Sequence, residues 1–340
     1  MRIFRFVIIL GLMVPAISSS QSQSGYHIVK KTLIGGEGGW DYLFADSKAR
    51  RLYVSHGSHV VVLDADSVAV VGDIPNTEGV HGIAVAPEFG HGFTSNGRTS
   101  TVTMFDLKSL KALKEIPAGK NPDAILYDSF SRKLFAFNGR SQDATVLNAE
   151  TGDSLATIPL GGKPEFAVSD LQGRVFVNNE DKSEIIAIDT KVLSVVARWP
   201  LAPGESPSGL AIDLKNHRLF SVCSNKLMIV LSTDDGKIVA SLPIGAGVDA
   251  CAFDPETGLA FSSNGEGTMT VVREESASQF TVIETVPTQR GARTMTLDLL
   301  THAVFLTTAD FGPAPQPSPE RPRPRPSVLP NTFVVLQLQK

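Results

Sequence analysis

The chain has 340 residues, with 31 Lys+Arg against 35 Asp+Glu, seven histidines and two cysteines. A net charge of −4 argues against a sequence-independent phosphate binder, whose affinity comes from Lys and Arg displacing counterions. Two cysteines exclude a disulfide scaffold, and a chain this long can bury a large core without staples.

Residues 1–20 read as a secretory signal. Arg2 and Arg5 give a positive start, Phe6 to Ile17 is apolar around Gly11 and Pro15, and Ser18, Ser19 and Ser20 suit a signal peptidase. The apolar run is short for a bilayer-spanning helix, an uncleaved anchor being the alternative. The mature chain is therefore expected to be periplasmic or secreted, with no later membrane span. It would carry 29 basic against 35 acidic residues, a net charge of −6.

From residue 21 onward one pattern recurs. RLYVSHGSHVVVLD at 51–64 reads as strand, tight turn, strand, and it returns as GFTSNGRTSTVTMFD, LFAFNGRSQDATVLN, VFVNNEDKSEIIAID, LFSVCSNKLMIVLS and AFSSNGEGTMTVV. A seventh copy begins VFLTTAD and resumes as TFVVLQLQ after a proline-rich stretch. A short strand precedes each pair (YLFAD, GIAVA, AILYD, FAVSD, GLAID, ACAFD, TMTLD), and a fourth follows six of them (VVGDIP, LKEIP, LATIP, VARWP, VASLP, VIETVP). Runs rich in Val, Ile, Phe and Thr between Gly, Asn, Asp and Pro are strand and turn signals. Four such strands at a period near 40–45 residues predict an all-β, seven-bladed β-propeller of four-stranded antiparallel blades over residues 21–340. The seventh copy lacks its fourth strand. YHIVKKTLI at 26–34 leads into glycine as LATIPLG and VASLPIG do, so the N-terminal strand is expected to close the last blade.

The strings LYVSHG, GFTSNG and AFSSNG, with copies closing on TIPLG or SLPIG, resemble the YVTN repeat, and residues 26–340 resemble YncE-type seven-bladed propellers. The resemblance implies the fold. For function it implies little, because a propeller is a scaffold for many activities. It allows single-stranded DNA binding, which the negative charge disfavours, since that function needs stacking aromatics on a basic groove.

The repeat defines two rings of positions. The residue just before each first strand is Asp41, His81, Asp123, Glu165, Ser208, Asp249 or Arg293. The second strands end in His56, Asn96, Asn138, Asn179, Cys223, Asn264 and Thr308. Both rings should lie on one face around the channel mouth, a natural concave site. Four carboxylates there repel one another, so their pKa values should rise unless a cation neutralises them. Arg293, a metal or a cationic ligand could do so. Asp41, His56 and His81 are expected to converge, and two imidazoles with a carboxylate suit a divalent transition metal. Asn and acid oxygens would suit calcium or magnesium, and such a mouth is similar to that of propeller lactone hydrolases. The plainer reading is that each Asn caps its turn through its own backbone. No tight metal motif is present. His59 reads as a solvated turn residue, and His91, His217 and His302 as surface residues of the opposite face. Trp40 is read as either a wall of the mouth or core, and Trp199 as core. Cys223 and Cys251 fall on adjacent blades, where geometry decides whether they pair.

Residues 311–330 insert a proline-rich segment into blade seven, with Arg321, Arg323 and Arg325 alternating with prolines. It is expected on the mouth face, as a lid, a docking arm or a plain solvated loop. No nucleophile–base pair is apparent. The expected function is therefore a non-catalytic, monomeric module binding a small ligand or a protein through Asp41, His56, His81, Asp123, Glu165, Asp249 and Arg293. A metal-dependent lactone or ester hydrolase, with Asp249 or Glu165 as base, is the alternative.

Overall fold

A computed structural model describes residues 24–316 and 326–340. The expected signal at 1–20 and Arg321, Arg323 and Arg325 lie outside the described residues. Among the described residues, 28 strands form seven four-stranded antiparallel sheets. Blade one comprises Trp40–Asp46, Arg51–His56, His59–Asp64 and Val70–Ile74, from the axis outward. Blades two to six repeat the order from inner strands Val80–Ala86, Pro122–Asp128, Pro164–Ser169, Pro207–Asp213 and Val248–Asp254. Blade seven runs Met295–Asp298, Ala303–Thr308, Val334–Gln339 and then His27–Leu33 from the other end of the chain. The inner strands of adjacent blades touch all the way round, the seventh against the first.

Burial explains why these segments are strands. Second and third strands are buried along nearly their whole length, as strands covered on both faces must be, and their sequences are apolar runs. Outer strands such as Ser194–Pro200 alternate between exposed and half-buried residues. One aromatic residue per blade stands at the same place in the second strand: Tyr53, Phe93, Phe135, Phe176, Phe220, Phe261 and Phe305, all 0 % exposed. Each lies in an apolar cluster of buried side chains, and most of these clusters draw on two neighbouring blades. Cys223 and Cys251 are buried in two different clusters, and both thiols are free. Trp199 is half-buried and stacks on Phe176 at 5.6 Å between centroids.

At the face opposite the mouth, a buried Asp ends most inner strands and accepts backbone N–H bonds from the turn that follows. Asp128 takes Ser131 N at 3.0 Å, and Asp254 takes Glu256 N at 3.1 Å. The histidines there are more tied than surface residues need be. His302 Nδ1 lies 2.8 Å from Asp254 in the neighbouring blade, and His217 lies 3.0 Å from Asp234. His91 Nδ1 lies 3.2 Å from the carbonyl of Ala149.

The N-terminal strand closes the ring. His27–Leu33 pairs antiparallel with Val334–Gln339, from His27 opposite Gln339 to Leu33 opposite Val334, with one irregularity between Ile28 and Lys30. Tyr26 anchors its start: the ring meets Phe261 edge-on at 5.1 Å and the hydroxyl donates to the His302 carbonyl at 2.8 Å. Tyr26→Ala should therefore lower the unfolding free energy by about 3 kcal/mol, the cost of emptying a buried aromatic site. Leu33→Ala, at a position 67 % exposed, should change it by less than about 0.5 kcal/mol. Urea unfolding of the two variants checks both.

Candidate channel-mouth site

The mouth residues are aimed by irregularities in the strand pairing. In blade one Trp40 sits opposite His56 and Leu43 opposite Val54, so Asp41 and Tyr42 share the space facing Ser55. Blades two to five repeat the two-against-one bulge, and blade six has a one-residue version between Val248 and Ala250. A bulge bends the strand and redirects a side chain. Here it turns the first ring of side chains toward the axis, and the Ser55 and Ser95 hydroxyls accept the freed N–H groups of Asp41 and Gly82 at 2.8 and 2.9 Å. The turn into blade two reaches this bulge through Gly79 at φ +67°, where a Cβ would also stand 2.9 Å from Arg98.

The first ring forms a polar cavity of about 330 Å³ lined by Asp41, Asp123, Glu165 and Asp249, with Lys163 and Arg293. Signs alternate around much of it. His81 Nδ1 stands 2.6 Å from Asp41 Oδ2 and 3.6 Å from Asp123 Oδ1. Arg293 meets Asp249 at 2.8 Å. Lys163 bridges Glu165 at 2.6 Å and Glu180. Between the acids of blade four and Asp249 of blade six, blade five contributes only Ser206, Ser208 and Ser224 to the wall.

Burial and crowding shift these groups together. Burial works against a charged His81, but its bond to Asp41 and the fields of Asp123, Asp41 and Glu165 raise it to about 9. Glu165 is pushed up to about 8 by burial and by Asp123, against the pull of Lys163. Asp249 rises because it is buried and faces Asp41 and Asp123, with Arg293 opposing. Asp123 is likewise raised by burial, while His81 and a hydrogen bond from Tyr42 draw it back.

Of the seven predicted site residues, six belong to this ring, and His56 does not join Asp41 and His81. It is buried, stacks on Phe333 at 4.4 Å with rings 7° apart, and meets His59 edge-on. Burial, and secondarily His59, lowers it to about 4, so it is a neutral packing residue. Asp123 stands in its place: Asp41, His81 and Asp123 offer ligand atoms within 4.8 Å of one another. The Asn ring is structural, although each amide reaches across the hairpin instead of to its own backbone. Asn96 donates to Thr101 and Thr103, Asn138 to Asp143 and Thr145, Asn179 to Glu184, and Asn264 to Thr268 and Thr270. Buried Cys223 bonds the Ser221 carbonyl through its thiol, which burial pushes up to about 12, far from a nucleophile. His59 is half-exposed, 3.7 Å from Asp73. Trp40 packs, half-buried, between Phe333 and Phe311 against a core cluster at the foot of the insert. Phe311 pairs with Val328, and Leu329 N–H donates to the Asp310 carbonyl at 2.9 Å, so the described base of the insert rises beside blade one.

Besides Ser206 and Ser224, three contributors with aromatic or charged side chains were not among the predicted residues: Tyr42, Lys163 and Glu180. Lys163 lies two residues before Glu165, where other blades have Gly79, Asn121, Gly247 and Gly291, so comparison at that offset would have exposed it. Tyr42 and Phe166 occupy the next position of the first ring, filled elsewhere by Gly82, Ala124, Gly209, Ala250 and Thr294. Their rings meet at 5.4 Å and floor the mouth. The small residues let inner strands approach closely; a Cβ on Gly209 would lie 2.5 Å from the Cys251 nitrogen.

No family model matches the chain, and no curated protein matches it. Its fold is similar to that of the solved structure of U3-55K, with TM-score 0.75 at 9 % identity, covering 92 % of this chain and 99 % of that one. The crystal structure of the RRP9 WD40 repeats gives TM-score 0.73 at 9 % identity, covering 93 % and 98 %. Such identities show the seven-bladed propeller fold alone.

Groups that hold protons more tightly when folded stabilise the fold while protonated. The contribution of Glu165 is complete below its ordinary 4.5 and lost as pH rises through about 8. That of His81 is complete below 6.5 and lost through about 9. His56, held low, works the other way between about pH 4 and 6.5, so stability measured by urea unfolding should decline from pH 6.5 to pH 9, and in Glu165→Gln the decline between pH 6.5 and 8 should be visibly smaller. Parallel pH profiles for the two proteins would remove Glu165 from this account.

Proposed function

We propose that this propeller is an exported, non-catalytic binding module of the YncE-like, YVTN-repeat kind, and that its mouth receives a cationic group of a small ligand or protein partner. The observation that carries this reading is the charge count at the mouth. Five carboxylates (Asp41, Asp123, Glu165, Glu180, Asp249) face three cations (His81, Lys163, Arg293). The cations pair locally, which leaves the arc between Glu165, Glu180 and Asp249 with hydroxyls and, among the described residues, no positive partner of its own. An ammonium or guanidinium there would donate to carboxylates on two sides and spare Glu165 and Asp249 the protons they otherwise retain. The negative charge of the chain and the acidic mouth both stand against nucleic acid.

Agmatine, which carries both an amine and a guanidinium, is a suitable probe. Calorimetry should show saturable binding that tightens as pH rises from 6 to 8, because the acids release protons in that range. Asp249→Asn should weaken it roughly tenfold to hundredfold, the loss of one charge-assisted hydrogen bond. Binding indifferent to Asp249→Asn, or none at all, would sink the reading.

A metal-dependent hydrolase is the second reading, favoured by the ligand atoms of Asp41, His81 and Asp123. These residues fit a divalent ion only if His81 gives up the proton it shares with Asp41, so the ion competes with an ion pair already made. The metal content of purified protein, with an Asp41→Asn/His81→Ala variant alongside, separates the two. The binding-module reading expects no stoichiometric ion in either. One ion per chain, lost in the variant and accompanied by chelator-sensitive lactone turnover, would establish the hydrolase.

A further inference from the structure

Below the Tyr42–Phe166 floor, the channel widens into a second chamber of about 670 Å³, open to the face opposite the mouth. Its walls are the lower halves of the inner strands, with Phe44, Ile125, Val168, Ile212, Phe253 and Leu297 among them. The polar groups that reach it are occupied by protein partners. The Tyr127 hydroxyl donates to Glu88, Ser169 Oγ donates to Asp128 at 2.6 Å, and Thr296 Oγ1 accepts the Ala45 N–H at 3.2 Å. Asp213 accepts the N–H groups of Lys215 and Asn216. The interior therefore offers mainly apolar surface.

The rim continues this character. Just past the inner-strand ends, blades four, five, six and seven present Leu171, Leu214, Pro255 and Leu299, and the three leucines are 45, 40 and 51 % exposed. Lys215, beside Leu214, is the only cation among the lining residues, and its side chain is exposed. Apolar pockets of this size with one or two placed polar groups are the usual form of a small-ligand site. Seven strands around one axis make the chamber a tube, which suits a chain-like guest better than a broad one.

We propose that the lower chamber is a binding site separate from the mouth, for an amphipathic anion with an unbranched apolar body, an acyl-chain carboxylate in chemical class. The chain would fill the tube toward Phe166 and the head would stay at the rim beside Lys215. The floor keeps the two sites apart: Tyr42 presents its hydroxyl to the mouth acids and its ring to Phe166.

The test is calorimetry of the purified protein with dodecanoate and, separately, dodecanol, both below the concentration at which they aggregate. One dodecanoate should bind per chain. Lys215→Gln should weaken dodecanoate at least fivefold and leave dodecanol within twofold. Ala252→Phe, which fills the tube, should weaken both at least tenfold. Leu299→Asp, at an exposed position that the fold tolerates, should also weaken dodecanoate, and it keeps the test decisive if Ala252→Phe does not fold. Asp249→Asn should leave dodecanoate unchanged, so failure at the mouth and failure in the chamber are read independently. No saturable binding, or binding equal in Lys215→Gln, Ala252→Phe and Leu299→Asp, overturns the proposal. A chamber that rejects both probes and instead seats an apolar peptide segment overturns it as well.

Discussion

The mouth exists because seven inner strands are held at one distance from one axis, and the aromatic residue buried in each second strand helps to set that distance. Tyr53, Phe93, Phe135, Phe176, Phe220, Phe261 and Phe305 act as wedges of nearly equal size. A void or an excess at one of them would alter the angle between two blades, and interiors packed this densely transmit such strain instead of absorbing it. The bulges then convert a uniform ring of strands into a ring of side chains aimed at the axis. Ring size and side-chain direction are thus fixed by apolar packing and backbone pairing, and the polar residues of the mouth inherit a geometry they do not make.

That inheritance explains how so many ionisable groups share so small a volume. Carboxylates left to themselves would separate or keep their protons. Here the scaffold prevents separation, so the compromise is electrostatic: His81 becomes an imidazolium between Asp41 and Asp123, Arg293 holds Asp249, and Lys163 spans Glu165 and Glu180. Tyr42 completes the arrangement from below, its hydroxyl held well above its ordinary range by burial and then by the surrounding acids. The same ring that repels itself on the mouth side is backed by an apolar tube on the other, so the channel is two environments in series.

Much of this was legible in the sequence, because the repeat places one residue per blade at each level. The period located the seven blades, the missing fourth strand in the last repeat pointed to His27–Leu33, and one level yielded Asp41, His81, Asp123, Glu165, Asp249 and Arg293 together, although all but Arg293 are the second residue of an inner strand and do not precede it. What the repeat could not show was direction. His56 shares the level of Asn138, yet its ring turns onto Phe333, a residue distant in sequence that arrives only when blade seven closes. The Asn residues carry no mark of whether an amide bonds its own turn or the facing Thr. Lys163 was obscured because it lies off the level being compared, and the Tyr42–Phe166 contact joins blades one and four, which no local pattern connects.

The closing strand has a consequence for how the molecule is made. Gln339 is synthesised some three hundred residues after His27, yet they end as neighbours. Six blades can assemble from contiguous chain, but the seventh cannot be finished until Val334–Gln339 has been made and the waiting strand docks on it, and until then blade seven has an open edge. Contacts so distant in sequence form slowly. The waiting strand is built for the delay: HIVKKTL carries two adjacent lysines and is exposed at almost every position even after docking, so alone it is a poor template for aggregation. Its anchor, Tyr26, lies just outside it and is buried only when the circle is complete.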